Sequence, residues 1–195
     1  MKVSIARLTI RGMAPLSQSR QHDEPKLEGE THDDYDKRTC LSKLNLGKDG
    51  KVVIPQHGLH QCLIAAARYS GEQIPGQGKK TWTKKFETGL MIVSEVQTGI
   101  DPKDVKAKPF SVSAQGRRGI GGRVTRRFPM IEEWSATAEI YVLDPIITEA
   151  IFEKMTRTAG MFIGLGRFRP EVGGHNGRFK IETLEWEDNR QPLAA

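Results

Sequence analysis

Apolar positions recur along the chain with two different periods, and the elements they predict alternate. Residues 3–10 put Ala6, Leu8 and Ile10 on one face and Ile5, Arg7 and Thr9 on the other, a strand that Gly12 and Pro15 end. After a turn at 46–50 (LGKDG), Lys51–Ile54 is a short extended run before Pro55. Over 57–70 the period lengthens. Leu59, Cys62, Leu63, Ala66 and Ala67 form the single apolar stripe of an amphipathic helix, and Gly71 suits a left-handed cap at its end. Leu90–Val96 and Phe110–Ser113 read as strands, and Ser135–Leu143 alternates cleanly, with Ala136, Ala138, Ile140 and Val142 on one face. Asp144-Pro145 then reads as the cap and first residue of a second helix, with Ile147, Ile151, Phe152 and Met155 as its stripe and Gly160 as its stop. In the last strand, 178–186, Phe179 and Ile181 share one parity while Leu184 and Trp186 take the other, which implies a bulge or an edge position. Two helices among mainly antiparallel strands predict an α+β fold. The expected form is a ferredoxin-like or RNA-recognition-motif-like antiparallel sheet with two main helices and long inserted loops.

Those loops carry the charge. The chain has 195 residues, 30 Lys+Arg and 24 Asp+Glu, for a formal charge of +6. Residues 21–36 hold seven acids (Asp23, Glu24, Glu28, Glu30, Asp33, Asp34, Asp36) against Lys26 alone, so this segment is −6 and the remainder is +12. With only Leu27 and Tyr35 as large apolar residues, 21–36 is expected to be an exposed acidic excursion. It would dock on the basic surface of a neighbouring copy or occupy a basic groove until nucleic acid displaces it. Hydrophobic residues make up 37 %, and adding the 20 glycines while leaving out the 3 tyrosines brings the apolar share to roughly 46 %, inside the globular range. No apolar run is long enough to span a bilayer. The N-terminus lacks the apolar stretch of a signal peptide, and Cys40 and Cys62 form no C-x-x-C pair, so a reducing cytoplasm is the expected location.

Three basic, glycine-marked segments are the candidate chemistry. The first, a basic and aromatic loop at 72–88, interleaves Lys79, Lys80, Lys84 and Lys85 with Trp82 and Phe86, offering both charge for phosphates and flat faces for bases. The other reading of this loop is a solvated basic surface with Trp82 tucked into the core. The second, a Gly/Arg-rich loop at 114–128, holds Arg117, Arg118, Arg123, Arg126 and Arg127 without an acid. Arginine suits phosphate through its planar fork. The third, a Gly-rich loop at 163–179, carries Arg167, Arg169 and Arg178 among its glycines. It is either a backbone-amide surface for phosphate or a crowded turn that only glycine fits.

Together, IGLGRFRPEVGGHNGRF at 163–179, GKVVIPQHGLHQCLIAAARYSG at 50–71 and the following IPGQGKKTWTKKF resemble the RAMP superfamily (repeat-associated mysterious proteins). Within it, the chain looks most like the small Cascade-type backbone subunits of CRISPR effector complexes and their phage- and plasmid-borne relatives. The resemblance implies a single RAMP-like domain over 1–195 that binds single-stranded RNA or DNA along a groove. It also implies repeated subunits stacked along the strand as a filament, with the 114–128 loop as a finger or thumb and 76–86 as part of the groove.

Enzymatic readings are weaker. His57 and His60 lie near Cys62, but position 62 points away from the other two on a helix, so no metal ligand set is assigned. The acids around His22 and His32 repel one another, and His175 reads as a polar loop residue beside Asn176. No catalytic residue, metal or cofactor is expected. The expected function is backbone-directed, largely sequence-independent binding, with no membrane partner. The alternatives are a metal-independent endoribonuclease of the same superfamily, or a phage-encoded module contacting an acidic protein.

Overall fold

The computed structural model describes residues 3–114 and 121–190. Its elements are β1 (Val3–Gly12), β2 (Leu16–Ser17), α1 (His32–Thr39), β3 (Val53–Ile54), α2 (Gln56–Ser70), α3 (Thr83–Gly89), β4 (Leu90–Ile92), β5 (Val96–Gln97), β6 (Lys106–Ser113), β7 (Arg123–Ile131), β8 (Ser135–Val142), α4 (Glu149–Thr158) and β9 (Phe179–Arg190). It is an α+β arrangement of two antiparallel sheets. The larger runs β3-β5-β8-β1-β9, with β4 also paired to β8; the smaller runs β2-β7-β6. None of the helices among the described residues is long and apolar enough to cross a membrane.

The alternation read in β1 and β8 sets the layers. Ala6, Leu8 and Ile10 lie beside Ile140, Ala138 and Ala136 in register, and this face is buried in one core with Leu59, Leu63 and Ala66 of α2 and Phe152 and Met155 of α4. The parity switch near the C-terminus is a bulge on an edge strand. Thr9 faces Thr183 but Ile10 faces Ile181, so β9 carries one extra residue there. That residue lets Ile181, Leu184 and Trp186 all pack against the core. The opposite face of the sheet is open and acidic. Arg7 bridges Glu139 and Glu187 at 3.2 and 2.7 Å, and Arg11 meets Glu182 at 3.5 Å.

Helix α2 matches its predicted stripe, and Gly71 caps it with φ of 60°. Elsewhere tertiary context overrides local signals. The second helix starts not at Asp144-Pro145 but at Glu149, capped by the Thr148 side chain, because the Asp144 carboxylate is taken up by the Ile146 N–H and Lys85. Gly160 does not stop it. A π-helical turn, Ala159–Ile163, continues α4, and Gly160 sits so close to the Phe179 carbonyl that a Cβ would collide with it. The expected strand over Leu90–Val96 is broken into β4 and β5.

Three predicted loops are partly ordered elements. Within 72–88, Thr83–Gly89 is helix α3, because Trp82 and Phe86 anchor one side of it in the core. Within 114–128, β7 begins at Arg123 and pairs with β6 as a hairpin, and 115–120 lies outside the described residues. The acidic segment is exposed to about residue 30 but ends in α1, which packs on β7 of the same chain. Asp36 is 3 % exposed there, bonded to Lys43 at 3.2 Å and to the Arg127 N–H at 3.2 Å, with Arg126 at 3.6 Å. Asp33 takes Arg127 at 2.9 Å. The excursion's last acids therefore dock on the chain's own smaller sheet. A carboxylate held by two cations and a backbone N–H is buried where an isolated one would stay in water.

Candidate nucleic-acid interface

Local packing explains the Gly-rich segment first. Gly166 has φ of 72° and lies against the Ser17 carbonyl, where any Cβ would overlap it. Most of the segment's N–H groups are already used: Leu165 donates to Gly177, Arg167 to Ser17, Asn176 to Phe168 and Gly177 to Pro15. The segment is thus a crowded turn clasping residues 15–17, not a free backbone-amide surface for phosphate. The clasp joins the two sheets, since Leu16 and Ser17 pair with Ile131 and Met130.

The turn presents Arg167. Its guanidinium lies 4.1 Å from the Phe128 ring centroid and 4.9 Å from that of Phe168. Phe168 in turn stacks on Phe110 at 4.7 Å, and it holds φ of 59°, a left-handed conformation that costs a non-glycine residue about 1–2 kcal/mol. The cluster that Phe168 forms with Phe110 and Phe128 of the smaller sheet holds that backbone in place. Arg167 is half-buried, and burial pushes its pKa below the ordinary arginine value. Among the described residues its side-chain hydrogen-bond partner is the Ser19 hydroxyl at 3.3 Å, and its Nε is buried without an acceptor.

Arg167 lines a cleft of about 640 Å³ between residues 16–20, the outer side of α2 and the turn at 164–171. The floor is Leu16, Ile54, Ile64 and Leu165; the walls are Gln18, Asn45, His57 and Gln61 with Arg20, Arg68, Arg167 and Arg169. Gln18 fixes one wall, donating to the Val53 carbonyl and accepting from Asn45. Glu171 is the one carboxylate among the lining residues, and it is held by Arg169 at 2.7 Å. Among the described residues no carboxylate pairs with Arg20, Arg68 or Arg167. A concave site with three uncompensated guanidiniums is suited to an anion.

The candidate residues separate on this geometry. Arg167 and Arg169 line the cleft, while Arg178 stands outside it, bonded to the Met161 and His175 carbonyls at 3.1 and 3.3 Å. Lys79, Lys80, Lys84 and Lys85 do not line it; Lys84 meets Glu87 and Lys85 meets Asp144. Trp82 is 2 % exposed, so its ring cannot stack on a base; apolar burial against α2 outcompetes a solvent position. Arg123 is tied to Ser111 at the hairpin, and Arg126 and Arg127 face α1. Arg117 and Arg118 lie outside the described residues. Arg20, Arg68 and Gln61 carry no mark in the sequence as cleft residues, and His57 is weighed there only as a metal ligand. For His57, Gln61 and Arg68 the signal is the polar face of α2 opposite its apolar stripe; Arg20, in the segment after β2, has none. His57, His60 and Cys62 do not converge: His57 is in the cleft, His60 meets the Phe86 carbonyl and Cys62 is buried against Gly164.

No protein-family model matches the chain, and no curated protein matches it in sequence. Similarity to solved structures is found. A chain in the cryo-EM structure of the type III-B Cmr-beta bound to cognate target RNA is 11 % identical with a TM-score of 0.43, over 96 % of this chain. This chain spans 61 % of that one's length. Cmr6 from Pyrococcus furiosus is 10 % identical with a TM-score of 0.47, over 93 % of this chain and 99 % of its own.

Proposed function

We propose that the chain binds single-stranded RNA or DNA through its phosphate backbone, with little regard for sequence, in the cleft between α2 and the 164–171 turn. The observation that carries this reading is Arg167, a half-buried guanidinium stacked on Phe128 and lacking a carboxylate. A buried cation without a counter-charge is costly, and a phosphate entering the cleft offsets that cost with charge-assisted hydrogen bonds. Arg20 and Arg68 in the same walls supply further phosphate contacts. The open sheet face is the less suitable site, since Glu139, Glu182, Glu185 and Glu187 there would repel a polyanion.

The reading extends to a single RAMP-type domain with a ferredoxin-like core. Its support is the order β4-β8-β1-β9 with α2 and α4 on one face, following one strand, one helix, two strands, one helix and one strand in sequence. It extends also to repeated copies along one strand in a larger complex. Opposite charges on the sheet face and on the β6–β7 hairpin, with Lys106 and Arg123, suit head-to-tail contact. No catalysis is included in this reading.

Fluorescence anisotropy with a single-stranded oligonucleotide across a salt series tests it. Arg167→Ala is expected to weaken binding about tenfold to a hundredfold, and to flatten the log–log salt slope by about 0.7, the contribution of one phosphate. Unchanged affinity and slope in Arg167→Ala would refute the assignment. Specific cleavage products from labelled RNA in chelator would favour the endoribonuclease instead.

A further inference from the structure

On α2 the lining of the cleft runs as far as Arg68. On a helix, positions four apart share a face, and His57, Gln61 and Ala65 line the cleft in such a row. The next member is Tyr69, one turn beyond Ala65 and adjacent to Arg68. From 57 to 69 the row is about 18 Å long at 1.5 Å per residue. Tyr69 is 60 % exposed and Phe162 50 % exposed, and their rings stack at 5.1 Å with an interplanar angle of 19°. Each ring covers one face of the other and leaves its outer face open.

The two rings come from different elements, and the fold goes out of its way to bring them together. Phe162 belongs to the π-helical turn after α4, where Ala159, Gly160 and Ile163 point inward and Met161 and Phe162 point out. Such turns recur at functional sites because the wider turn re-aims side chains. Cys62 of α2 packs on the Ala159 and Gly164 carbonyls, which holds this turn beside the helix. Gly164 itself lines the cleft, two residues after Phe162. Arg178 donates to the Met161 carbonyl, one residue before Phe162, and Arg68 precedes Tyr69 on α2. Nearby carboxylates are already compensated, Glu72 by Lys154 at 2.7 Å and Glu171 by Arg169. An exposed, near-parallel aromatic pair one helical turn beyond a basic cleft suits a flat heteroaromatic ring carrying a phosphate.

We propose that Tyr69 and Phe162 form a base-stacking subsite at the end of the cleft, taking one unstacked nucleobase of a strand whose phosphates lie against Arg68 and Arg167. The inference rests on the binding reading above and adds a site for the base. It assigns to Tyr69 and Phe162 the stacking role that buried Trp82 cannot play. Base identity matters little there, since every base has a π face.

The test compares an oligothymidylate with an abasic oligonucleotide of equal length and charge, by anisotropy at one salt concentration. The expected result is that the protein prefers the thymidylate by about tenfold, the scale of one stacked base. Tyr69→Ala/Phe162→Ala is expected to bind both probes with the abasic affinity, and Tyr69→Trp to keep the preference. Equal binding of both probes by the unaltered protein overturns the stacking subsite and leaves phosphate binding intact. Failure to bind either probe overturns the binding reading itself. A preference that survives the double substitution overturns the subsite, and if sedimentation changes at the same time, the rings are a contact between copies instead. Because both rings are half-exposed, the double variant should keep its melting temperature; Tyr69→Gln alone serves if it does not.

Discussion

Replacing Asp36 with alanine probes the docking of the acidic helix directly. The Asp36 side chain is 4 % exposed and meets the ammonium of Lys43, whose side chain is 10 % exposed, at 3.2 Å. Asp36→Ala leaves Lys43 with the Arg127 carbonyl at 2.6 Å and the Phe128 ring at 4.9 Å, and leaves the Arg127 N–H without its acceptor. Breaking a buried ion pair by removing one partner typically costs about 3–5 kcal/mol. The retained carbonyl and ring contact put the expected loss near the lower end, about 3 kcal/mol. For a chain of this size each kcal/mol shifts the melting temperature by about 2–4 °C, so a fall of about 6–12 °C is expected. Urea and thermal unfolding followed by circular dichroism measure it. Asp36→Leu/Lys43→Met removes both charges and should recover part of the loss, because apolar residues often replace a buried pair at no cost, while the Arg127 N–H and carbonyl still lack their side-chain partners. A shift under about 2 °C for Asp36→Ala, or no recovery in the double variant, refutes the docked arrangement.

Other outcomes follow from single contacts. Arg38 and the Leu27 N–H together hold the Glu30 carboxyl down at about 2, below its ordinary 4.5. A depressed carboxyl stabilises above its unfolded pKa and loses that contribution as pH falls, so the fold around 27–38 should loosen between about 4.5 and 2. The Leu27 amide resonance should titrate with a midpoint near 2, and a midpoint near 4.5 would exclude the Arg38 pair. Burial pushes the Cys62 thiol up to about 12, so Ellman's reagent at pH 8 should label it only after unfolding; rapid labelling of the native chain would contradict its place under Gly164. Gly166→Ala forces a Cβ into the Ser17 backbone at φ of 72°, and should destabilise the chain by more than about 2 kcal/mol while weakening oligonucleotide binding. Wild-type unfolding and binding in that variant would mean the turn does not clasp residues 15–17.

Which stretches are amphipathic, and on which side, is written in the order of the residues. β1, β8 and α2 follow their apolar periods, Gly71 caps α2, and the parity switch between Ile181 and Leu184 marks a bulge that pairing with β1 contains. These are short-range properties, set by which face each side chain takes along its own element. Which charges are free depends instead on how distant segments pack together. Arg127 and Arg167 look alike in two arginine-bearing loops, yet one faces Asp33 and the other faces Phe128 and open cleft. Trp82, readable from the sequence as a stacking ring or as core, is core, while Tyr69, which no local pattern singles out, stands stacked in solvent. The difference lies in partners drawn from distant segments, such as Asp33 for Arg127 and Phe162 for Tyr69. Sheet topology brings those together, and no local period encodes the burial or compensation that results.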